Sequence, residues 1–287
     1  MEIFFQLFIN SLIAAGIYGL VALGFNFLYR ATKFFNLAYG VYAVIGGYAV
    51  LALGRAGVPL WAAAPLGILA AAGVGAACEK FVYARLRARR ASALVQLVAS
   101  IGVMTALQAV IAIIFSSEFQ TLSEFAPSST SYSIGGGVVT SVQLIIFGST
   151  ALILFGLALL LKFTLLGKAM KAVSDDEEVS KIVGINTGRV ITIISAIGAG
   201  IAGWAGILVG FDTGLQPTLG LALLLKGVIA AIIGGIGSLY GGVLGALLLG
   251  LAENFGIWKI ASEWKDAIAF VLLILFLIFR PQGIVKR

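Results

Sequence analysis

Apolar residues run along this chain in blocks too long and too continuous for one face of a soluble helix. Phe4–Tyr29, Leu60–Val82, Ala93–Phe115, Val142–Leu161, Val190–Phe211 and Ala267–Phe279 with its flanks are such blocks. Each is near the ~20 residues a helix needs to cross a hydrocarbon core, the last being the shortest. The runs do not alternate, which excludes a membrane β-barrel. Phe34–Leu53 is less regular: it opens on a polar-aromatic stretch and contains Gly46-Gly47, and reads as either a full or a broken span. Ala222–Leu251 holds IIGGIGSLYGGVLG, whose glycines predict two short helices meeting at a break. Irregular backbone at membrane depth survives only where protein or a water-filled cavity satisfies it. The pattern predicts an all-α, polytopic membrane protein forming a single transmembrane domain over residues 1–287. It has about eight membrane-embedded segments, with the penultimate pair short or re-entrant.

The polar positions orient these spans. Basic residues cluster at Arg30 with Lys33, Arg85–Arg90, Lys162–Arg189 and Arg280–Arg287. The positive-inside rule puts all four in the cytoplasm. The segment 116–141 has no Lys or Arg and is placed outside, as is the N-terminus. The first apolar run follows the acidic Glu2, lacks a basic flank and is too long for a signal peptide, so a retained span is expected.

Composition narrows the chemistry. The chain is 61% hydrophobic and 11% charged, against about 25% charged in soluble domains. Its net charge of +7 belongs to loops that set orientation, not to nucleic-acid binding. The one cysteine, Cys78, cannot form an internal disulfide, and the chain has no histidine. Metal, haem and other cofactor sites therefore have no support here, and the commonest general base is missing.

A few polar groups lie in or beside the spans. Lys226 stands well inside LALLLKGVIAA, where a charge costs at least ~2.5 kcal/mol on insertion scales. It reads as a snorkelling or helix-pairing lysine, or as a residue lining a translocation path. Asn36, Gln96, Ser100 and Ser238 are the other candidates for a path, with Gln96 and Ser100 sharing a face at i, i+4 spacing. Packing by interhelical hydrogen bonds is the alternative for each. Glu79 is expected to pair with Arg85 or Arg87. Glu253 and Asp266 flank the last outer loop and are candidates for contact with an external protein. The small-residue stretches 70–77 and 198–203 read as close helix packing.

The segment 163–190 contains GKAMKAVSDDEEVSKIVG between two apolar runs. Ser174-Asp175-Asp176-Glu177 fits an S-x-x-E capping box, Lys181 follows Glu177 at the favoured i+4 spacing, and Gly184 supplies a left-handed stop. A short cytoplasmic helix over Asp175–Val183 is expected. It reads as a solvated connector or as a docking element for a partner at the membrane surface.

The order of motifs resembles the branched-chain amino-acid ABC importer permease family, LivH type. Gly16–Gly24 is followed by Phe35-Asn36-Leu37-Ala38-Tyr39-Gly40; then come Glu79-Lys80 before the basic run, Gly167–Val173 through Gly184-Ile185-Asn186, Ile233–Ser238 with Gly241-Gly242, and Asp266–Phe270 with Phe279-Arg280-Pro281-Gln282-Gly283. Glu178-Val179-Ser180 and Gly184 resemble that class's E-A-A-x-x-x-G loop, with Val179 and Ser180 in place of the alanines. The chain has Tyr39 where the family has His, and Asp175-Asp176 where it has Asp-Pro, and the first departure bears on substrate identity. The resemblance implies that Lys168, Lys171, Ser174, Glu177, Glu178, Lys181 and Gly184 couple to an ATPase. It implies two ATPase subunits that bind ATP and Mg, a second homologous permease, a periplasmic substrate-binding protein, a small amino-acid substrate and a multi-pass place in the bacterial or archaeal cytoplasmic membrane.

No Walker A sequence occurs, so ATP must be hydrolysed by other chains, and this one is not an enzyme. An importer for urea or short amides is the alternative substrate class. An ion-coupled carrier would show acids in mid-span, and an intramembrane enzyme would show paired carboxylates or a nucleophile elbow; neither pattern is present.

Overall fold

The computed structural model describes residues 2–125, 131–134, 137–258 and 261–285. Lys286 and Arg287 of the last basic group, and positions 126–130 and 135–136 of the expected outer loop, lie outside the described residues. The helices are α1 (Glu2–Thr32), α2 (Tyr39–Arg55), α3 (Leu60–Cys78), α4 (Ala84–Ala88), α5 (Ala93–Phe115), α6 (Ser141–Phe163), α7 (Leu165–Asp175), α8 (Glu177–Ile182), α9 (Thr187–Asp212), α10 (Leu219–Gly234), α11 (Leu239–Gly256) and α12 (Lys265–Phe279). A π-helical turn over Glu79–Tyr83 joins α3 to α4. A two-stranded antiparallel hairpin, β1 (Ser131–Ile134) and β2 (Gly137–Thr140), pairs Ser131 with Thr140.

Among the described residues six helices are long and apolar enough to cross a membrane: α1, the run from α3 through α4, α5, α6, α9 and α11. The apolar α2, α10 and α12 have 17, 16 and 15 residues. The glycine-broken pair is two separate helices, so the count of about eight expected segments becomes nine apolar helices of 15 or more residues among the described residues.

Two expectations for α2 need correction. The helix starts at Tyr39, not Phe34, because the Asn36 carboxamide oxygen accepts from the Ala38 amide at 3.0 Å and turns the chain first. Such an Asx turn competes with helix. Gly46-Gly47 does not break α2 either. Both glycines are buried inside a continuous helix, where Gly46 lies against the backbone of Gly203 and a side chain would overlap it. These glycines serve close approach.

The chain divides into two compact units. One comprises Phe27–Phe125 and Phe155–Leu224. Its centre is α2, α3 and α9, which touch backbone to backbone: Gly46 meets Gly203, Gly206 meets Ala43, and Gly75 meets Ala199. Helix α5 lies at its edge, with only Gln96, Ser100 and Ile111 buried. Leu94, Val98, Ile113 and Ile114 are exposed, as befits an apolar helix whose solvent is lipid. The two ends of this unit gather different loops. At one end Asn36, Tyr83, Glu79 and the start of α9 converge. At the other, Gln120 pairs with Leu215 backbone to backbone and Arg55 reaches the Gln120 carboxamide at 2.6 Å. The loops expected inside thus sit together, and so do those expected outside.

The other unit comprises Met1–Asn26, Ala126–Leu154 and Leu225–Arg287. Here α1 packs on α6 through Gly16, whose carbonyl accepts from the Thr150 hydroxyl at 3.0 Å. It also packs on α11, where Gly250 meets Ser11 and Ala15. The predicted break falls at Gly235–Ser238, with Gly235 at φ 112° and Gly237 at φ 83°, values that favour glycine. The Gly235 amide donates to the Ala231 carbonyl at 2.9 Å and the Ser238 amide to the Gly235 carbonyl at 3.1 Å, so the break keeps backbone partners, as irregular backbone at membrane depth requires. Asn26, wholly buried, accepts from the Gly237 amide and donates to the Ser238 carbonyl, both at 2.9 Å. The amides of Ile284 and Val285 donate to the carbonyls of Ile233 and Gly234 at 3.0 Å, so the C-terminal tail completes the end of α10.

Candidate functional site

The charged segment between α6 and α9 folds into two short helices. Thr164 caps α7 by accepting from the Gly167 amide at 3.1 Å. Helix α7 is amphipathic: Met170, Val173 and Ser174 are buried, whereas Lys168 and Lys171 are exposed. It is longer than the turn expected over 168–173. The capping box is corrected. The residue capping α8 is Asp176, whose carboxylate accepts from the amides of Glu178 (2.8 Å) and Val179 (3.0 Å). Ser174 instead lies buried in the last turn of α7. With Asp176 extended at φ −154° and ψ 117° the chain kinks there, and α7 and α8 are separate helices.

The remaining local expectations hold. Lys181 pairs with Glu177 at 2.8 Å. Gly184 is left-handed at φ 85° and ends the element. The next cap escaped sequence reading: Asn186 accepts from the Arg189 amide at 3.0 Å and starts α9 without a spacer. The Thr187 hydroxyl also donates to Glu177 at 3.4 Å. Helix α8 is therefore bound directly to the end of a span-length helix. It presents Glu178, Val179, Ile182 and Val183 outward, and Ile182 is 84% exposed. Exposed aliphatic residues outside the apolar runs, rimmed by charge, suit a contact with a protein or a membrane surface.

The end of α3 through α4 lies beside this element. Glu79, 1% exposed, pairs with Arg87 and accepts from the Ser195 hydroxyl of α9 at 3.4 Å. Of the two expected partners it is thus Arg87 that binds Glu79; Arg85 donates to the Phe81 carbonyl.

Among the candidate path residues, Asn36, Gln96 and Ser100 come together. The Leu37 amide donates to the Ser100 hydroxyl, and the Tyr83 phenol donates to Asn36 at 3.1 Å. Gln96 donates to the Ala91 carbonyl at 3.2 Å. All three are buried; Asn36 and Ser100 hold the turn before α2, whereas Gln96 ties back to Ala91, ahead of its own helix. Ser238 caps α11, accepting from the Gly241 amide at 3.1 Å.

Lys226 sits in a charged cluster that the sequence did not assemble. It pairs with Glu253 of α11 and, at 2.7 Å, with Asp266 of α12. The Tyr18 phenol donates to the second Glu253 oxygen at 2.8 Å, and Lys226 also faces the Tyr18 ring. Glu253 is completely buried and so unavailable to an external protein, whereas the Asp266 side chain is 74% exposed. Residues 226 and 253 are 27 apart, and only the glycine break, by folding α10 against α11, makes them neighbours.

Comparison with known proteins agrees with this architecture. Residues 7–277 match the family described as branched-chain amino acid transport system / permease component. The chain is 33% identical to the high-affinity branched-chain amino acid transport system permease protein BraD of Pseudomonas aeruginosa, over 99% of this chain and 96% of that one. It is 31% identical to the permease protein LivH of Escherichia coli K12, with the same coverage. Among solved structures, PsaBC from Streptococcus pneumoniae in complex with Fab shares the fold, with a TM-score of 0.52 at 13% identity over 95% of this chain and 91% of that one.

Proposed function

The chain belongs to the family of permease components of branched-chain amino acid transport systems, and from that premise we propose that it is the membrane-spanning subunit of an ATP-driven importer for branched-chain or related small amino acids. It is a multi-pass protein of the cytoplasmic membrane. In this reading two ATPase subunits, which bind ATP and Mg, dock on Lys168–Gly184. A second, homologous permease completes the passage, and an external binding protein delivers the substrate.

The observation that carries the reading is the build of α8. It is a short, capped helix, exposed through Glu178, Val179, Ile182 and Val183, and fastened to α9 by Asn186 and Thr187. A push on such an element moves α9 rather than a slack loop. ATP-driven closure of the ATPase pair would thereby switch the passage between outward and inward opening, by differential contact with the two states.

The test is purification of the tagged chain with its co-expressed neighbours, followed by uptake in vesicles. Co-purification of two ATPase subunits and a second permease, with Glu178→Lys abolishing ATP-dependent uptake while membrane insertion persists, supports the assignment. Solute movement by the chain alone without ATP would make it a carrier or channel instead.

A further inference from the structure

A cleft of about 540 Å³ separates the C-terminal end of α4 from α8 and the start of α9. Arg87 and Arg90 form one wall; Glu178, Lys181, Thr187 and Ile191 stand on the other, beside Glu177. Its charges are unevenly committed. Glu177 is held by Lys181 and by the Thr187 hydroxyl. Arg87 uses one guanidinium nitrogen on Glu79, while its Nη1 is buried with no partner. Among the described residues Arg90 makes no ion pair, and it is held in the left-handed region at φ 56°, a conformation unusual for a residue with a side chain. Guanidinium groups fit a carboxylate through paired N–H donors.

We propose that this cleft is a second jaw of the ATPase docking surface, and that it receives a carboxylate side chain of the ATPase subunit on Arg90, beside the Arg87–Glu79 pair, while the exposed aliphatic face of α8 contacts the same subunit. The inference rests on the coupling role given to α8 above. Charge complementarity selects the occupant. Arg90, exposed and without an ion pair among the described residues, asks for an anion. Glu178 on the opposite wall repels a purely anionic surface and instead accepts a donor, which suits a protein segment of mixed charge better than a sheet of lipid phosphates. The aliphatic patch of Val179, Ile182 and Val183 beside it asks for a protein surface as well. An occupant in this position touches α4 and α8 together, so it bridges the end of the α3–α4 run to the end of α9.

The experiment measures the affinity of fluorescently labelled ATPase subunits for the permease in nanodiscs of neutral lipid, at two salt concentrations. Arg90→Glu is expected to weaken binding at least tenfold and to flatten its salt dependence, with an unchanged elution profile of the permease. Replacing the contacting ATPase carboxylate by lysine, found by scanning its surface acids, is expected to restore the affinity of Arg90→Glu. Val179→Asp is the control for the underlying reading. If Val179→Asp leaves ATPase affinity intact, the coupling role of α8 fails. If Val179→Asp loses the ATPase but Arg90→Glu binds it normally, α8 docks and the cleft inference is overturned. Normal ATPase affinity of Arg90→Glu, with loss only of a response to added phosphatidylglycerol, would overturn it too and make the cleft a lipid headgroup site.

Discussion

Lys226 shows how far a single residue can be read. A lysine inside LALLLKGVIAA announces that something must neutralise it, but not what. Its partner Glu253 lies beyond a glycine break, and no local spacing rule reaches across such a turn; Tyr18, which completes the cluster, comes from a distant helix. The cluster makes a prediction that separates structure from transport. Lys226→Met takes the close cation from the buried Glu253 carboxylate and leaves only Lys265, at 4.0 Å; breaking a buried pair costs up to roughly 3–5 kcal/mol. The apparent melting temperature in detergent should fall clearly. Adding Glu253→Gln removes the stranded charge and keeps an acceptor for Tyr18, so melting should recover. Recovery of uptake along with melting assigns the pair to helix packing; recovery of melting alone assigns Lys226 a part in transport.

At the scale of elements, the span-length helices were legible because continuous apolar runs of this length have few alternatives in water or lipid. The short charged helix was legible in outline, through Glu177–Lys181 and Gly184. Its cap was misassigned because Ser174 and Asp176 are both good cap residues, and the choice depended on Met170 and Val173 pulling α7 through Ser174. Asp176→Ala should therefore loosen α8 selectively. Loss of a cap costs about 1 kcal/mol, so amide exchange over 177–183 should quicken about fivefold, with α9 unchanged. A uniform change, or none, would show that α8 is held from elsewhere. Gly46-Gly47 taught the opposite lesson: a glycine pair marks either a break or a crossing, and only the partner helix decides. Gly206 makes the same crossing from α9, where an added methyl would overlap the Ala43 carbonyl. Gly206→Ala should thus lower thermal stability, by about 1–3 kcal/mol if the crossing is overpacked. Gly73→Ala, which meets nothing within 4 Å, should leave stability unchanged or slightly raised.

For the whole molecule, the decisive property is sidedness, since an ATPase can reach α8 only from the cytoplasm. Charge asymmetry leads one to expect Arg85–Arg90 and Lys162–Arg189 inside and 116–141 outside. Within the unit that carries them, folding places α4 beside α8 and brings Gln120 to Leu215 and Arg55 at the opposite end. Within that unit, loops oriented independently by charge lie at the ends that the orientation expects. Labelling can check the absolute orientation. In a Cys78→Ser background, Ser117→Cys should react with a membrane-impermeant maleimide in intact cells. Ala88→Cys and Val183→Cys should react only after permeabilisation. All three side chains replaced are exposed, so accessibility reports sidedness and not burial. Labelling of Val183→Cys from outside would put α8 beyond the reach of any cytoplasmic ATPase and remove the basis for coupling, whatever the family. The expected pattern leaves Arg87, Arg90 and α8 on one cytoplasmic surface, which is what the proposed docking of one ATPase subunit on two helix ends requires.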